Sequence, residues 1–294
     1  MLILSDMAKK KIYHKNEANK ALASMTLPAR RLLYLTISKI VKDKNELKFD
    51  PEQKFIITAK EYAELCDVSE SVAYRQLKDG IWDIRTTMME ILESEVVPAE
   101  QRKNRPVDMT IVFTVANYGA YSNGEGFVEL SLDPIVAPYI SNLENDFTSQ
   151  YLLSALRLSD SNANKLYILL CEWISSGMYA HKIIDIENLK SKLGIESIRT
   201  YQAFKDFNKL FFKRSVKSVI DKTEFSKIEM EIVERKGRKA SKVKISYEYS
   251  DQLNHLKNHL EKKASCQKSS SDELLLINGR YMTKEEAKAA GYKI

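Results

Sequence analysis

The chain has 294 residues, 44% hydrophobic and 9% aromatic, which is enough for real cores and argues against a disordered or fibrous chain. No run of about 18 apolar residues exists, residues 1–6 are too short for a signal-peptide core, and three distant cysteines (Cys66, Cys171, Cys266) make no disulfide framework, so the expectation is a cytoplasmic protein without a membrane span. The net charge of +6 permits a nucleic-acid partner without requiring one.

In chain order, residues 1–26 are expected to form a basic N-terminal arm with Lys9, Lys10, Lys11, Lys15 and Lys20. A helix follows over residues 28–42, because Pro28 suits a first helical turn and Leu32, Leu33, Leu35, Ile37 and Ile40 share an apolar face. Residues 54–58 make a short strand, and Thr58 to Glu61 has the spacing of a capping box that opens the next helix. Residues 66–71 hold the small polar residues of a tight turn, with Ser69 or Ser71 capping a second helix. That helix turns Val72, Ala73, Leu77, Ile81 and Ile84 inward and Tyr74, Arg75 and Lys78 outward. Short helix, short turn and second helix is the helix-turn-helix arrangement. Residues 107–116 alternate as a strand, with Met109, Ile111, Phe113 and Val115 on one face. Residues 126–132 pair with it across the Asn123-Gly124 turn. Helix, strand, two helices and a hairpin is the order of a winged helix.

The second half repeats this order. Residues 161–176 predict a helix, 182–186 a strand, 185–193 a helix closed by Gly194, and 201–222 a longer helix. Residues 227–233 and 242–249 predict strands joined by a loop over 234–241. The two halves align by element order rather than identity, with residues 55–60 set against 182–187. In the tail, 251–263 look helical, 267–272 are a polar Ser-rich linker, and 274–294 hold an apolar run, an Asn278-Gly279 turn and an Ala-rich helix. The expected fold class is α+β, with two tandem winged-helix domains and a C-terminal tail. The expected divisions are an arm at 1–26, an N-terminal domain at 27–145, a C-terminal domain at 146–250 and a tail at 251–294.

Charge is unevenly placed. Residues 199–244 carry 14 Lys and Arg against 6 Asp and Glu, a net +8, and the rest of the chain nets −2. Lys205, Asn208, Lys209, Lys213 and Lys217 step by three and four along the 201–222 helix, on a face neighbouring the apolar one of Phe204, Phe207, Phe211 and Val219. Such a helix fits a major groove, where Asn can read adenine and Lys can read guanine or hold phosphate. The bland alternative is an amphipathic helix with a charged solvent face. Five bases of the adjoining loop, Arg235, Lys236, Arg238, Lys239 and Lys242, surround Gly237 and favour a sugar-phosphate backbone through counterion release.

Enzyme motifs are thin. The histidines are His14, His181, His255 and His259, with no His-x-His pair. His255 and His259 have i,i+4 spacing, but no nearby carboxylate or cysteine completes a metal motif. No phosphate-binding Gly-rich loop with Lys-Ser or Lys-Thr exists. Cys66 and Cys171 are expected to fill cores. No catalytic activity, cofactor or metal is expected. A tyrosine-dependent nicking or recombining enzyme and a simple transcriptional repressor remain as alternatives.

Leu27-Pro28-Ala29-Arg30-Arg31-Leu32-Leu33-Tyr34, Ser71-Val72-Ala73-Tyr74-Arg75-Gln76-Leu77-Lys78, Tyr139-Ile140-Ser141-Asn142-Leu143 to Phe147-Thr148, Asp221-Lys222-Thr223 and Glu234-Arg235-Lys236-Gly237-Arg238-Lys239 resemble the iteron-binding plasmid replication initiators. The Pi-type initiators are the nearer branch and the F-plasmid type the more distant one. The resemblance spans about residues 12–250. It implies a bacterial, plasmid-associated protein whose monomer binds directly repeated iterons in double-stranded origin DNA. It also implies a dimer that binds an inverted repeat and represses its own gene, and recruitment of the host initiator and helicase. The N-terminal domain would add dimerisation to DNA contact, and the C-terminal domain would be the main reader. The C-terminal recognition helix would run over about 206–222 with Asn208, Lys209 and Lys213 toward DNA, and the N-terminal one from Ser71. Leu210 stands where F-type relatives tend to carry a base. The full DNA-facing set expected is Ser71, Tyr74, Arg75, Lys78, Arg199, Tyr201, Lys205, Asn208, Lys209, Lys213, Lys217, Arg235, Lys236, Arg238, Lys239 and Lys242.

Overall fold

A computed structural model of the chain describes residues 7, 9–40, 42–43, 46–47, 52–96, 109–140, 146–250, 275–277 and 280–282. One compact unit covers Met1–Asp251 and a second covers Gln252–Ile294. The first unit begins with β1 (Lys11–Lys15), α1 (Ala18–Ser24), α2 (Leu27–Lys39), β2 (Lys42–Asp43) and β3 (Glu46–Leu47). It continues through β4 (Phe55–Thr58), α3 (Ala59–Cys66), α4 (Glu70–Thr86), β5 (Met88–Leu92), α5 (Glu93–Val96), β6 (Thr110–Thr114), β7 (Ala116–Tyr121) and β8 (Phe127–Leu132). After α6 (Ala137–Ile140) come β9 (Phe147–Tyr151), α7 (Leu152–Arg157), α8 (Ser161–Ser175), β10 (His181–Asp185) and α9 (Ile186–Lys192). The unit closes with α10 (Phe204–Asp206), a π-helical segment (Phe207–Phe212), α11 (Lys213–Lys222), β11 (Phe225–Lys236) and β12 (Lys239–Tyr249).

Two winged helices are present, and they share one topology. The sheet of the first is ordered β4-β8-β7 and that of the second β10-β12-β11. The alignment of residues 55–60 with 182–187 holds in burial from Ile56 and Ile183 onward, whereas Phe55 is buried and Lys182 half-buried. Ile57 and Ile184 are buried, Ile56 and Ile183 are half exposed, and Thr58 and Asp185 occupy the N-cap positions of α3 and α9. Local chemistry explains the elements. Thr58 Oγ1 accepts from the Glu61 N–H at 3.1 Å, and Ser69 Oγ accepts from the Val72 N–H, so Ser69 and not Ser71 caps α4. Asp67 turns the chain between α3 and α4 in the left-handed region at φ 58°. Gly194 does the same after α9 at φ 59°. There the Gly194 N–H reaches the Ser191 carbonyl and the Ile195 N–H the Lys190 carbonyl, a Schellman closure.

Several expectations need correction. Residues 11–24 are not a free arm: β1 pairs antiparallel with β9, and α1 buries Ala18, Asn19, Ala21, Leu22 and Ala23. The lysines hid this pattern, because Lys20 lies on the exposed side of a helix whose other face is apolar. Residues 1–6 of the expected arm lie outside the described residues. The helix at 28–42 stops at Lys39, and β2 and β3 pair just beyond it. The strand at 107–116 divides at Val115. Its first part pairs with β5, a strand the sequence did not announce, and the chain then leaves to pair with β8. Met109 is exposed rather than on the inner face. Val107 lies outside the described residues, as do Ser141-Asn142-Leu143.

The 201–222 helix begins only at Phe204 and contains the π segment, where the Lys213 N–H reaches back five residues to the Asn208 carbonyl. The loop at 234–241 is instead almost all strand, closed by a two-residue turn at Gly237-Arg238. Gly237, at φ 62° in the first central position, matches what a tight hairpin turn of the II′ kind requires.

Buried polar groups stitch the layers together. Glu172 accepts from Asn19 and Lys192, each at 2.8 Å, joining α1, α8 and α9. Glu224, at the entry to β11, accepts from the Ser154 and Tyr167 hydroxyls, and burial pushes its carboxyl above the usual range. Cys66 and Cys171 are buried thiols whose pKa is raised by desolvation, Cys66 to about 12, as core cysteines behave. In the second unit, β13 (Leu275–Ile277) and β14 (Arg280–Met282) pair antiparallel. The expected 251–263 helix, the 267–272 linker, the Asn278-Gly279 turn, the Ala-rich helix, His255, His259 and Cys266 lie outside the described residues.

Candidate nucleic-acid interface

In the N-terminal unit, α4 carries Ser71, Tyr74, Arg75 and Lys78. Ala73, Leu77, Gly80, Ile81 and Ile84 fill the opposite side, which leaves these four toward the surface. Two of them are engaged with the wing of their own domain. Tyr74 donates its hydroxyl proton to the Ser122 carbonyl at 2.9 Å, and the Lys78 ammonium sits 4.7 Å from the Tyr121 ring centre. Ser71 Oγ lies 3.2 Å from the cap Ser69 Oγ. Arg75 is exposed and has no ion pair among the described residues. This corrects the picture of three equivalent outward side chains. Tyr74 and Lys78 hold the β7–β8 wing against the helix, and Arg75 is the unencumbered cation. A cation–π contact at an exposed site is worth only about 0.5–1 kcal/mol, so a phosphate can compete for Lys78.

In the C-terminal winged helix the π segment changes the geometry. Phe207, Phe211, Ser215 and Val219 form the buried stripe, four residues apart, with Phe212 buried beside them. A strict α-helix would let such a stripe drift round the axis, and the wide turn absorbs one extra residue that corrects it. The wide turn falls between Lys209 and Lys213, so the expected row of cations shifts there and runs on at regular helical spacing from Lys213 to Lys217. Asn208 and Lys213 line a groove of about 710 Å³ together with Val216, Met230, Glu231 and Lys244. Arg214, Lys217, Ser218 and Asp221 line a different part of the surface. Lys205 and Lys209 are exposed on the first turns. Arg214 was not among the expected site residues, although its i,i+3 spacing to Lys217 was there to be read.

Arg199 is exposed in a 3₁₀ turn (Arg199–Tyr201). Tyr201 is not free to leave that turn: its hydroxyl accepts from Asn162 at 3.2 Å and its ring meets Phe211 edge-on. Its role in the structure is to brace the start of the helix.

The wing divides into a base and a tip. At the base, Lys242 pairs with Glu234 at 2.8 Å and Lys244 with Glu231 at 3.2 Å across the two strands. The hydrogen bond from Lys242 holds the Glu234 carboxyl below its ordinary range, and Glu234 in turn raises Lys242. Lys242 therefore corrects to a neutralised residue. At the tip, Arg235, Lys236, Arg238 and Lys239 are exposed and have no ion pair among the described residues. The same holds for Arg199, Lys205, Lys209, Lys213, Arg214 and Lys217. A polyanion is the chemical class that ten such cations on a helix, the turn before it and a hairpin suit. Among the described residues no cluster of His, Cys, Asp and Glu could hold a metal ion, and no helix is long and apolar enough to cross a membrane.

A family model described as Initiator Replication protein, WH1, matches residues 11–171, and one described as Initiator Rep protein, WH2, matches residues 185–247. The chain is 30% identical over 264 residues to the PI protein of Escherichia coli, spanning 83% of this chain and 85% of that one. It is 22% identical over 175 residues to an uncharacterized 27.6 kDa protein of Escherichia coli, spanning 58% and 69%. Among solved structures it is similar to the Pi initiator protein in complex with iteron DNA. The TM-score is 0.71 and the identity 28%, over 83% of this chain and 99% of that one.

Proposed function

The chain belongs to the initiator replication protein family, and we propose that it initiates plasmid replication by binding iteron repeats in double-stranded origin DNA. One observation carries this reading. Two winged helices of identical strand order each present a helix and a hairpin, and the second pair carries ten cations without ion pairs among the described residues. Each unit would place its helix in a major groove, on successive turns of the duplex about 10 bp apart. The similarity to the Pi initiator, solved in complex with iteron DNA, supports iteron binding.

In this reading, residues 27–145 contact DNA through Ser71, Arg75 and Lys78 and also form the dimer contact. Residues 146–250 are the main reader, through Lys205, Asn208, Lys209, Lys213 and Lys217, with the wing tip on phosphates. The monomer acts on iterons, and a dimer on an inverted repeat represses the gene. The host initiator and helicase are then recruited. The protein works by binding and distortion of DNA rather than by covalent chemistry. Footprinting on DNA flanking the gene tests this, with protected direct repeats of about 20 bp as the expected result. Permanganate reactivity beside the repeats separates an initiator from a repressor. A covalent protein–DNA adduct would instead indicate a tyrosine-dependent enzyme.

A further inference from the structure

Both candidate reading helices lean on one short stretch of chain, residues 157–161, between α7 and α8. From the N-terminal unit, Arg31 of α2 is 1% exposed and reaches in two directions. Its Nη1 donates to Gln76 Oε1 of α4 at 3.0 Å, and its Nη2 donates to the Leu158 carbonyl at 3.0 Å. The Tyr62 hydroxyl of α3 donates to the same Gln76 oxygen and fixes its orientation. Arg30, also buried, donates to the Ser161 carbonyl and hydroxyl at the start of α8. From the C-terminal unit, Lys222 at the end of α11 donates to the Arg157 carbonyl at 3.2 Å and the Ser159 hydroxyl at 3.3 Å. Three hydrogen bonds and two adjacent residues thus connect α4 to α11.

We propose that Arg31 is a positioning residue that fixes the spacing and rotational phase between the two DNA-reading helices, so that the chain accepts DNA contacts at one separation only. The inference rests on the two-helix reading above. A guanidinium suits the task, because its planar fork holds two acceptors in a fixed relation, which a flexible ammonium cannot do. One added base pair turns the second contact by about 34–36° around the duplex, since a turn holds about 10–10.5 bp. A rigid joint cannot follow that turn. A loose joint can, at the cost of ordering itself on each binding event.

The test uses the full chain and a duplex site recovered by selection from random-sequence DNA. One or two base pairs are inserted or deleted between the two major-groove contacts. Wild type should lose at least about 30-fold per inserted base pair, the scale of a lost base contact or more. Arg31→Met keeps the buried stem, and should bind the parent site about 3- to 10-fold more weakly yet lose less than about 3-fold on insertion. Lys222→Met cuts the other end of the path at the surface and should flatten the profile in the same way, which keeps the test alive if Arg31→Met does not fold. The proposal is overturned if folded variants keep the steep wild-type profile, or lose affinity by one uniform factor at every spacing. If wild type itself shows no spacing dependence, the two-helix reading fails rather than the role of Arg31.

Discussion

Replacing Arg235, Lys236, Arg238 and Lys239 by Ala removes the wing tip's charge and little else. All four are exposed, none has an ion pair among the described residues, and Gly237 keeps the turn. Folding stability should therefore stay within about 0.5 kcal/mol of wild type. Binding should respond strongly, because each phosphate neutralised contributes about 0.9 to the slope of log K against log salt. Two to four such contacts lower that slope by about 2 to 4. Between 50 and 200 mM salt, the advantage of wild type over the variant should shrink by about 10- to 150-fold. Fluorescence anisotropy with a labelled duplex over a salt series measures this directly, and the loss should be the same on cognate and scrambled DNA. Lys242→Ala combined with Glu234→Gln is the internal control: it removes the ion pair without changing the net charge, so the slope should barely move. An unchanged slope in the quadruple variant, or an equal change in the double control, would refute the reasoning.

Other outcomes follow from single positions. Lys209→Ala, on an exposed first turn of the reading helix, should lower the ratio of cognate to scrambled binding by about 5- to 100-fold while leaving the scrambled affinity nearly intact; competition binding measures it. His14 lies in β1, opposite Thr148 of β9, and is buried; desolvation lowers its pKa from 6.5 to about 4, so its neutral form is the one folded. Its contribution is complete above pH 6.5 and is lost as pH falls toward 4, by up to about 3 kcal/mol. His14→Gln should flatten that part of the stability profile in denaturant titrations at several pH values. Gly194→Ala should cost about 1–2 kcal/mol, because an added Cβ would adopt φ 59° and lie 3.2 Å from the Ala23 side chain. Thermal unfolding would show this as a lower midpoint.

Much of the fold was legible in the sequence because its signals are local. Thr58 and Ser69 cap their helices within three residues, Asn123-Gly124 closes a hairpin, and Gly194 ends a helix. The candidate site was legible at the level of charge, through the +8 segment, and less so at the level of side chains. Tyr74, Tyr201 and Lys242 looked like ligands for DNA, and each has a partner inside the protein that lies 8 to 48 residues away in sequence. The row of cations on the 201–222 helix shifts between Lys209 and Lys213 for a different reason: periodicity assumes uniform turns, and the π segment supplies one wide one.

Local signals set the order of elements, their repetition in two halves and the location of excess positive charge, since hydrophobic period, capping and turn chemistry act over a few residues. Packing alone decided that residues 11–24 are docked and that Arg30 and Arg31 are buried. Those outcomes rest on hydrogen bonds and strand pairs between segments distant in the chain, from Arg31 to Leu158 and from β1 to β9. Only packing brings such groups together, and packing buries two basic residues that look like surface charge in the sequence.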